Sequence, residues 1–526
     1  MSSVKKVRNW FSAILISSLV LAGCASEPNS SEVEAGEASS GEAQGGGTLN
    51  IAVLSDATHL DPHHGADIPS ANVYHGKIFE TLVIQDEDME IQPGLAEEWE
   101  RVDDLTWTFK LREDVTFHDG TPFTAEAVEA TLNRVLDPEV GSTRASLFEM
   151  ITEIEVVSDY EVKLVTEYPF SPLLSNLAHY SGGIISPDAI EADYNGTPLT
   201  ENPVGTGPLT FESWTPGQQI VLSNNEDHWG GGMKVDEVVF KVVPEDLTRL
   251  AEVETGESHI AEPVGTGDIT RIEESQTMNL YRSDGLGIDY IGFNMNKEPF
   301  DDVRVRQAIN LAIDTEAIVD HVYNGVGIKA EGPMGPAVWG YDPDLKGYDQ
   351  DIEEAKRLLA EAGYENGFDT TIWTNDNRER MDVTEVVQSQ LAEVGINVSI
   401  EVLEWGAYLD KTGSGEHDMF ILGWSNMTGD ADYNQYYLFH SDTHGDAGNR
   451  SYYYNEDVDR LIDEGRQESD LDKRLAIYHE AQAIEVEEAP LVLIRHTEYV
   501  AAIGNNVEGF WLHPSRIMML DDVTIQ

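Results

Sequence analysis

Residues 292–319 read GFNMNKEPFDDVRVRQAINLAIDTEAIV, and their pattern decides the fold. The run continues a short strand-like segment, Tyr290-Ile291-Gly292-Phe293-Asn294, which Pro299 and the acidic pair Asp301-Asp302 bring to an end. Val305, Ala308, Ile309, Ala312 and Ile313 then recur at helical spacing, which predicts one buried helical face. Asp301 or Asp302 caps that helix, because a carboxylate there accepts the free N–H groups of the first turn. Asp314 caps a second helix carrying Ile318, Val319 and Val322. A strand, a turn and two amphipathic helices suit many folds, so the flanking sequence must narrow the choice.

Outward from this run, strand and helix patterns alternate. Upstream, 48–53, 106–111, 160–165, 209–214, 219–222 and 235–243 read as strands. Helices are predicted at 70–82, from Thr124, and around Leu247, Leu250 and Val253. Downstream, 351–362 is a helix with acids in its first turn and Gly363 at its end. Asp382 and Glu385 suggest a capping box for a helix carrying Val386, Val387, Leu391 and Val394. Strands at 398–403, 419–424 and 491–494 and helices at 456–468 and 471–486 complete the pattern, which is that of mixed α/β lobes.

The chain has 526 residues, 40% of them hydrophobic and 9% aromatic, enough for more than one packed unit. With 97 acidic and 32 basic residues its net charge is -65, a field that repels nucleic acid and anionic lipid. The acids are scattered over helix faces and turns, as in the solvated shell of a protein from a salty or alkaline habitat. Lys5, Lys6 and Arg8 precede a short apolar run, 10–21, that ends in Leu21-Ala22-Gly23-Cys24, the order of a signal peptide. Cys24 is the only cysteine, so the mature chain cannot form an internal disulfide. No later segment is long and apolar enough to span a bilayer. Residues 25–47 are mostly Ser, Glu, Gly and Ala, with Val33 the one large apolar residue, and so read as a flexible leash.

Five stretches in one order carry a family resemblance: 106–128 (TWTFKLREDVTFHDGTPFTAEAV), 203–208 (PVGTGP), 294–314, 355–367 (AKRLLAEAGYENG) and 423–433. Together they resemble the peptide/nickel family, family 5, of ABC-transporter solute-binding proteins, nearest its glutathione- and oligopeptide-binding lipoproteins. The resemblance implies an α/β, two-lobed periplasmic-binding-protein-like fold of class II type with an inserted subdomain. Lobe I would comprise 48–78, 203–289 and 500–526, with the insertion at 79–202, and lobe II 290–499. Chain crossings near 289 and 499 would form a hinge. Leu21-Ala22-Gly23-Cys24 resembles a lipobox, which makes 1–23 the leader, 24–47 the linker and Cys24 the site of lipidation. The protein would then be a monomer, tethered to the cell membrane on its extracytoplasmic side, handing its ligand to ABC permease subunits.

In the family the loop after Gly423-Trp424 lines the ligand cavity. Peptide-binding members place an Asp a few residues past the Trp to hold the peptide amine, and here Met427 takes that position. The sequence SNMTGDADYN looks instead like the glutathione-binding subset, so glutathione or a short peptide is the expected ligand. The candidate ligand-binding residues are Asp67, Ile68, Arg378, Arg380, Trp405, Tyr408, Trp424, Asn426, Asp430, Asp432 and Tyr433. Arg378 and Arg380 are read on a loop before a helix, where a guanidinium would fork a ligand carboxylate; the competing reading is a surface ion pair. Trp405 and Tyr408 could stack on a ligand or pack in the core.

His63-His64 reads as a solvated turn rather than a metal site, because adjacent histidines seldom chelate one ion alone. Asp430-Ala431-Asp432 lacks the glycine of a calcium loop. No metal or cofactor is expected. Nor does the sequence carry a G-x-S-x-G, H-E-x-x-H or P-loop signature of an enzyme. The alternatives are a nickel-chelate or haem receptor of the same family, a secreted hydrolase, and a chaperone or peptide-sensing adaptor on the same fold.

Overall fold

The computed structural model describes residues 46–65, 67–445 and 448–526. Cys24, the predicted leader and nearly all of the leash lie outside them. Among the described residues, no helix is long and apolar enough to cross a membrane.

A mixed sheet of eleven strands among the described residues runs through the molecule. Its order is Asn397–Leu403, Asp369–Asn375, Met419–Ser425, Met278–Phe293, Leu491–Gly504, Ile260–Glu262, Thr48–Val53, Glu237–Val242, Gln219–Asn224 and Leu209–Thr215. Ile328–Lys329 pairs with Leu491–Gly504 off that path. Two apolar cores sit at the two ends. One gathers Leu49, Ile51, Phe79, Phe109, Leu132, Leu164, Leu222 and Phe240 with Leu512 and Met518. The other gathers Ile291, Phe293, Val305, Ala308, Ile309, Ile372, Val387, Leu391 and Val492. A separate antiparallel sheet, ordered Ala96–Arg101, Thr106–Leu111, Glu161–Thr166 and Ile151–Ser158, belongs to the first core.

The deciding stretch folds as its pattern requires. Asp302 caps Val303–Ala312 by accepting from Arg304 N at 2.9 Å, and Asp314 caps Thr315–His321 by accepting from Ala317 N at 2.9 Å. Each cap is worth about 1 kcal/mol. Val305, Ala308, Ile309 and Ala312 are buried to the last atom, so the helical stripe is core. In PVGTGP the glycines serve close approach: a methyl on Gly205 or Gly207 would stand 2.0 Å from Ile78 O or 2.1 Å from Lys77 O.

Four elements differ in extent from the sequence reading. The short strands expected at 290–294 and 491–494 are the ends of two long ones, Met278–Phe293 and Leu491–Gly504. They pair antiparallel from Met278 opposite Gly504 to Gly292 opposite Leu491, with the register broken between Asp284 and Ile288. At that break a methyl on Gly285 or Gly287 would meet Thr497 Oγ1 at 2.6 Å, and Thr497 Oγ1 accepts from Gly287 N at 3.1 Å. Ser283-Asp284-Gly285, in the middle of the first strand, leads into this irregularity. The helix expected over 70–82 is Ile68–Tyr74 only, because the N–H groups of Ile78 and Phe79 both turn back to Tyr74 O at 2.9 Å. The helix expected from Asp382 starts at Arg378, capped by Asn377. Arg378 and Arg380 therefore lie in its first turn and not on a loop.

Candidate ligand cleft

Met419–Ser425 lies inside the sheet, antiparallel to Met278–Phe293 and parallel to Asp369–Asn375. Its end delivers Trp424 and the loop that follows to the space between the two cores. The loop is shaped by Asn426, whose side chain is fully buried. Asn426 Oδ1 accepts from Thr428 N at 3.0 Å and Gly429 N at 2.7 Å, while Nδ2 donates to Asp430 O at 2.8 Å. Asp430 caps Ala431–Phe439 and accepts two hydrogen bonds from Arg474, at 2.7 and 2.6 Å. Asp432, also buried, stands 2.9 Å from Arg466 Nε. Burial raises its carboxyl above the usual range, and Arg466 opposes that rise.

The same helix places Tyr433 and Tyr437 one turn apart beside Trp424. Their ring centres lie 5.6 and 6.2 Å from Trp424 and 4.9 Å from each other, an aromatic wall. Burial pushes the Tyr433 phenol up, with Arg144 pulling it back. Arg144 approaches from the first lobe, where its Nη2 donates to Tyr180 OH at 3.2 Å and its guanidinium lies 5.9 Å from that ring. Burial raises Tyr180 too, and the Asp67 carboxylate adds to the effect. The wall of Trp424, Tyr433 and Tyr437 is thus opposed by Arg144 and Tyr180, with Asp67 behind them. Asp67 caps Ile68–Tyr74, accepting from Ser70 N and Ser70 Oγ at 2.9 Å and from the Thr58 hydroxyl. Ile68 lines a recess of 200 Å³ with Asn72, Glu262 and Arg516.

A larger cleft of 890 Å³, with Gly429 and Asp430 of this loop in its wall, is bounded also by Met89, Tyr281, Trp339, Arg474 and Trp511. Gln85 Nε2 donates to Thr428 O at 2.8 Å and ties that loop to the first lobe.

The remaining candidates are placed elsewhere. Arg380 donates to Asn375 Oδ1 at 3.1 Å and lies 5.6 Å from the Trp405 ring. Trp405, 42% exposed, stacks on Tyr408 at 5.8 Å. Tyr408 is a core residue and not a cleft residue: it is fully buried and donates to Ile421 O at 2.5 Å. Arg378, 81% exposed, pairs with Asp382 on the outer surface, one helical turn away. His63 is not a solvated turn residue. It is fully buried, 2.7 Å from Arg134 Nη1, and burial depresses its imidazole to about 3. Burial would raise the neighbouring Asp61, but hydrogen bonds from His64 and Arg134 hold it below the usual carboxylate range. Among the described residues, no three His, Cys, Asp or Glu side chains gather as metal ligands.

Sequence reasoning missed Arg144, Tyr180, Tyr437, Arg466 and Arg474. Tyr437 was within reach, four residues past Tyr433 on a helical pattern. The arginines carry no local signal, because their partners are 34 to 44 residues away.

Residues 90–446 match the model of the bacterial extracellular solute-binding proteins, family 5. The chain is similar to the dipeptide-binding protein of Escherichia coli K12, 32% identical over 83% of this chain and 86% of that protein. It is similar to the glutathione-binding protein GsiB of the same strain, 33% identical over 90% of this chain and 94% of that one. Among solved structures it resembles the ABC transporter-associated periplasmic binding protein DppA of Helicobacter pylori in complex with the peptide STSA. The TM-score is 0.79 at 31% identity, covering 92% of this chain and 98% of that one.

Proposed function

The chain belongs to the family 5 bacterial extracellular solute-binding proteins and has their two-lobed α/β fold, and from that premise we propose that it captures glutathione or a short peptide for an ABC permease. The observation that carries this reading is the aromatic wall of Trp424, Tyr433 and Tyr437 set against Arg144 and Tyr180 across the two lobes. Aromatic faces cover a flexible peptide backbone at low entropic cost. Arginine forks the carboxylates of which glutathione has two. Met427, whose sulfur sits 3.3 Å from Tyr433 OH, replaces the expected amine-holding carboxylate, which favours glutathione over a plain dipeptide.

The protein would work by closure and release without turnover, bending where the register of its two long strands breaks. Closure is driven only by contacts that the ligand makes better in the closed form. Within this reading Cys24 carries the lipid, residues 24–47 are the tether, and the monomer meets its permease from the extracytoplasmic side.

Calorimetric titration of residues 26–526 with reduced glutathione at high salt tests the proposal, with dipeptides, a pentapeptide and nickel run in parallel. One-to-one saturable binding of glutathione is expected. Preference for longer peptides would move the protein to the oligopeptide branch, and silence across the panel would remove the ligand assignment.

A further inference from the structure

One hairpin of the first lobe reaches the ligand loop. Strands Val83–Gln85 and Ile91–Pro93 pair antiparallel, with Val83 and Ile91 packed into the first core. Asp86 holds the turn between them. Its Oδ1 accepts from Asp88 N at 3.1 Å and Glu90 N at 2.9 Å, and its Oδ2 accepts from Gln92 Nε2 at 2.8 Å. Its carbonyl accepts from Met89 N at 3.0 Å. At the tip Met89 has φ 61°, in the left-handed region that suits glycine and strains a residue with a side chain.

Burial across the lobes offsets that strain. Met89 is 8% exposed, whereas Asp88 and Glu90 beside it are exposed. It packs with Leu286 of the long strand and with Met334, Val338, Ala431 and Tyr478 of the second lobe. Its Cε fills the space over Gly429, where a methyl would stand 2.0 Å from it. An unbranched thioether suits such a socket. Four residues earlier on the hairpin, Gln85 Nε2 donates to Thr428 O at 2.8 Å. The preceding residue, Met427, has its sulfur 3.3 Å from Tyr433 OH of the aromatic wall. The first lobe therefore grips the loop at 428 and 429, next to the residue that meets the wall. Parting the lobes would draw Met89 off Gly429 and leave its strained backbone without that burial.

We propose that Met89 is a positioning residue for ligand capture, a latch on the first lobe that seats the 426–430 loop and favours the closed form before ligand arrives. The inference rests on the reading of the protein as a receptor that closes on its ligand. The ligand then supplies only the rest of the closed-state preference, so Met89 raises affinity without touching the ligand.

Two substitutions at this position test the latch. Met89→Gly removes the side chain and suits the backbone, whereas Met89→Leu keeps an apolar side chain on the same backbone. If Met89 served only the turn, the glycine variant would match wild type or be more stable. As a latch, Met89→Gly is expected to enlarge the radius of gyration of the ligand-free protein in small-angle scattering. It is also expected to weaken glutathione binding about 5- to 20-fold in calorimetry, with the far-ultraviolet spectrum unchanged. Met89→Leu is expected to stay within about 2-fold of wild type. Wild-type dimensions in ligand-free Met89→Gly, or equal losses in the glycine and leucine variants, would overturn the latch. If Met89→Gly does not fold, Gln85→Ala, which releases Thr428 O from the hairpin, decides by the same scattering comparison: opening supports the latch and wild-type dimensions overturn it. Failure of every protein, wild type included, to bind glutathione would remove the ligand assignment, and the ligand-free scattering would still decide the latch.

Discussion

Arg474 holds Asp430 with both terminal nitrogens, at 2.7 and 2.6 Å, where the two side chains are 2% and 6% exposed. Trp339 covers the guanidinium, 4.4 Å from its ring centre. The pair fixes the end of the cleft loop to the long helix that runs behind it. Asp430→Ala or Arg474→Ala strands a buried charge and is expected to cost about 3–5 kcal/mol. The double variant is expected to cost less than the sum of the two, because no charge is then left alone. Urea unfolding of the three variants measures this.

Trp424→Ala and Tyr433→Ala remove parts of the aromatic wall and are expected to weaken ligand binding about 10- to 100-fold, with folding retained. Tyr408→Phe provides the contrast. It loses the hydrogen bond to Ile421 O, so it is expected to lower stability by about 1 kcal/mol while leaving affinity unchanged. Calorimetry and melting curves on the same three proteins separate wall from core. An affinity loss in Tyr408→Phe equal to that in Trp424→Ala would contradict the assignment.

The lobes also meet at Arg466. Its guanidinium lies 3.7 Å over Tyr436 in its own lobe and 5.6 Å from Phe170 in the other, and its carbonyl accepts from Ser171 N at 2.9 Å. Arg466→Ala is expected to shift the ligand-free protein toward a more open form and weaken binding about 3- to 10-fold, equivalent to about 1 kcal/mol of lost closed-state preference. Small-angle scattering with and without ligand reads the change. An unaltered radius of gyration in the free variant would show that this contact does not hold the lobes together.

Stability is expected to fall as pH drops below 6.5. Burial depresses His63, His75 and His417 to about 3 and His496 and His513 to about 4. The unfolded chain therefore binds more protons than the folded one between those values and 6.5. Each histidine contributes stability that is complete above 6.5 and is lost toward its folded value, at up to about 1.4 kcal/mol per pH unit. Glu485, raised to about 8 by burial, has the opposite sign, and its contribution fades as pH rises from 4.5 through 8. Urea midpoints from pH 4 to 8 should rise steeply to about 6.5 and then flatten.

Much of the architecture was legible because it is local. The stripe Val305, Ala308, Ile309 and Ala312 and the caps Asp302 and Asp314 depend on neighbours within a few residues, and both carboxylates make their cap bonds. The full length of the two long strands was not legible, because Arg282-Ser283-Asp284 is held extended only by pairing with 498–500 far along the chain. The acids after Trp424 were read as ligand contacts, yet Asp430 and Asp432 face Arg474 and Arg466. A carboxylate beside a cleft looks the same in sequence whether it awaits a ligand or already holds an arginine from a distant helix. Both arginines come from later helices, Glu456–Gln467 and Leu471–Glu488, so the pairing exists only once these have docked.

Met278–Phe293 and Leu491–Gly504 join the strands of both lobes into one hydrogen-bonded sheet. Neither half could therefore be expressed alone without baring a long, flat row of unpaired N–H and C=O groups. Such a raw edge recruits other chains. A fragment of this receptor cut at its waist would be an aggregation seed before it was a domain, so both halves must be made together and the second must arrive before the first can solidify.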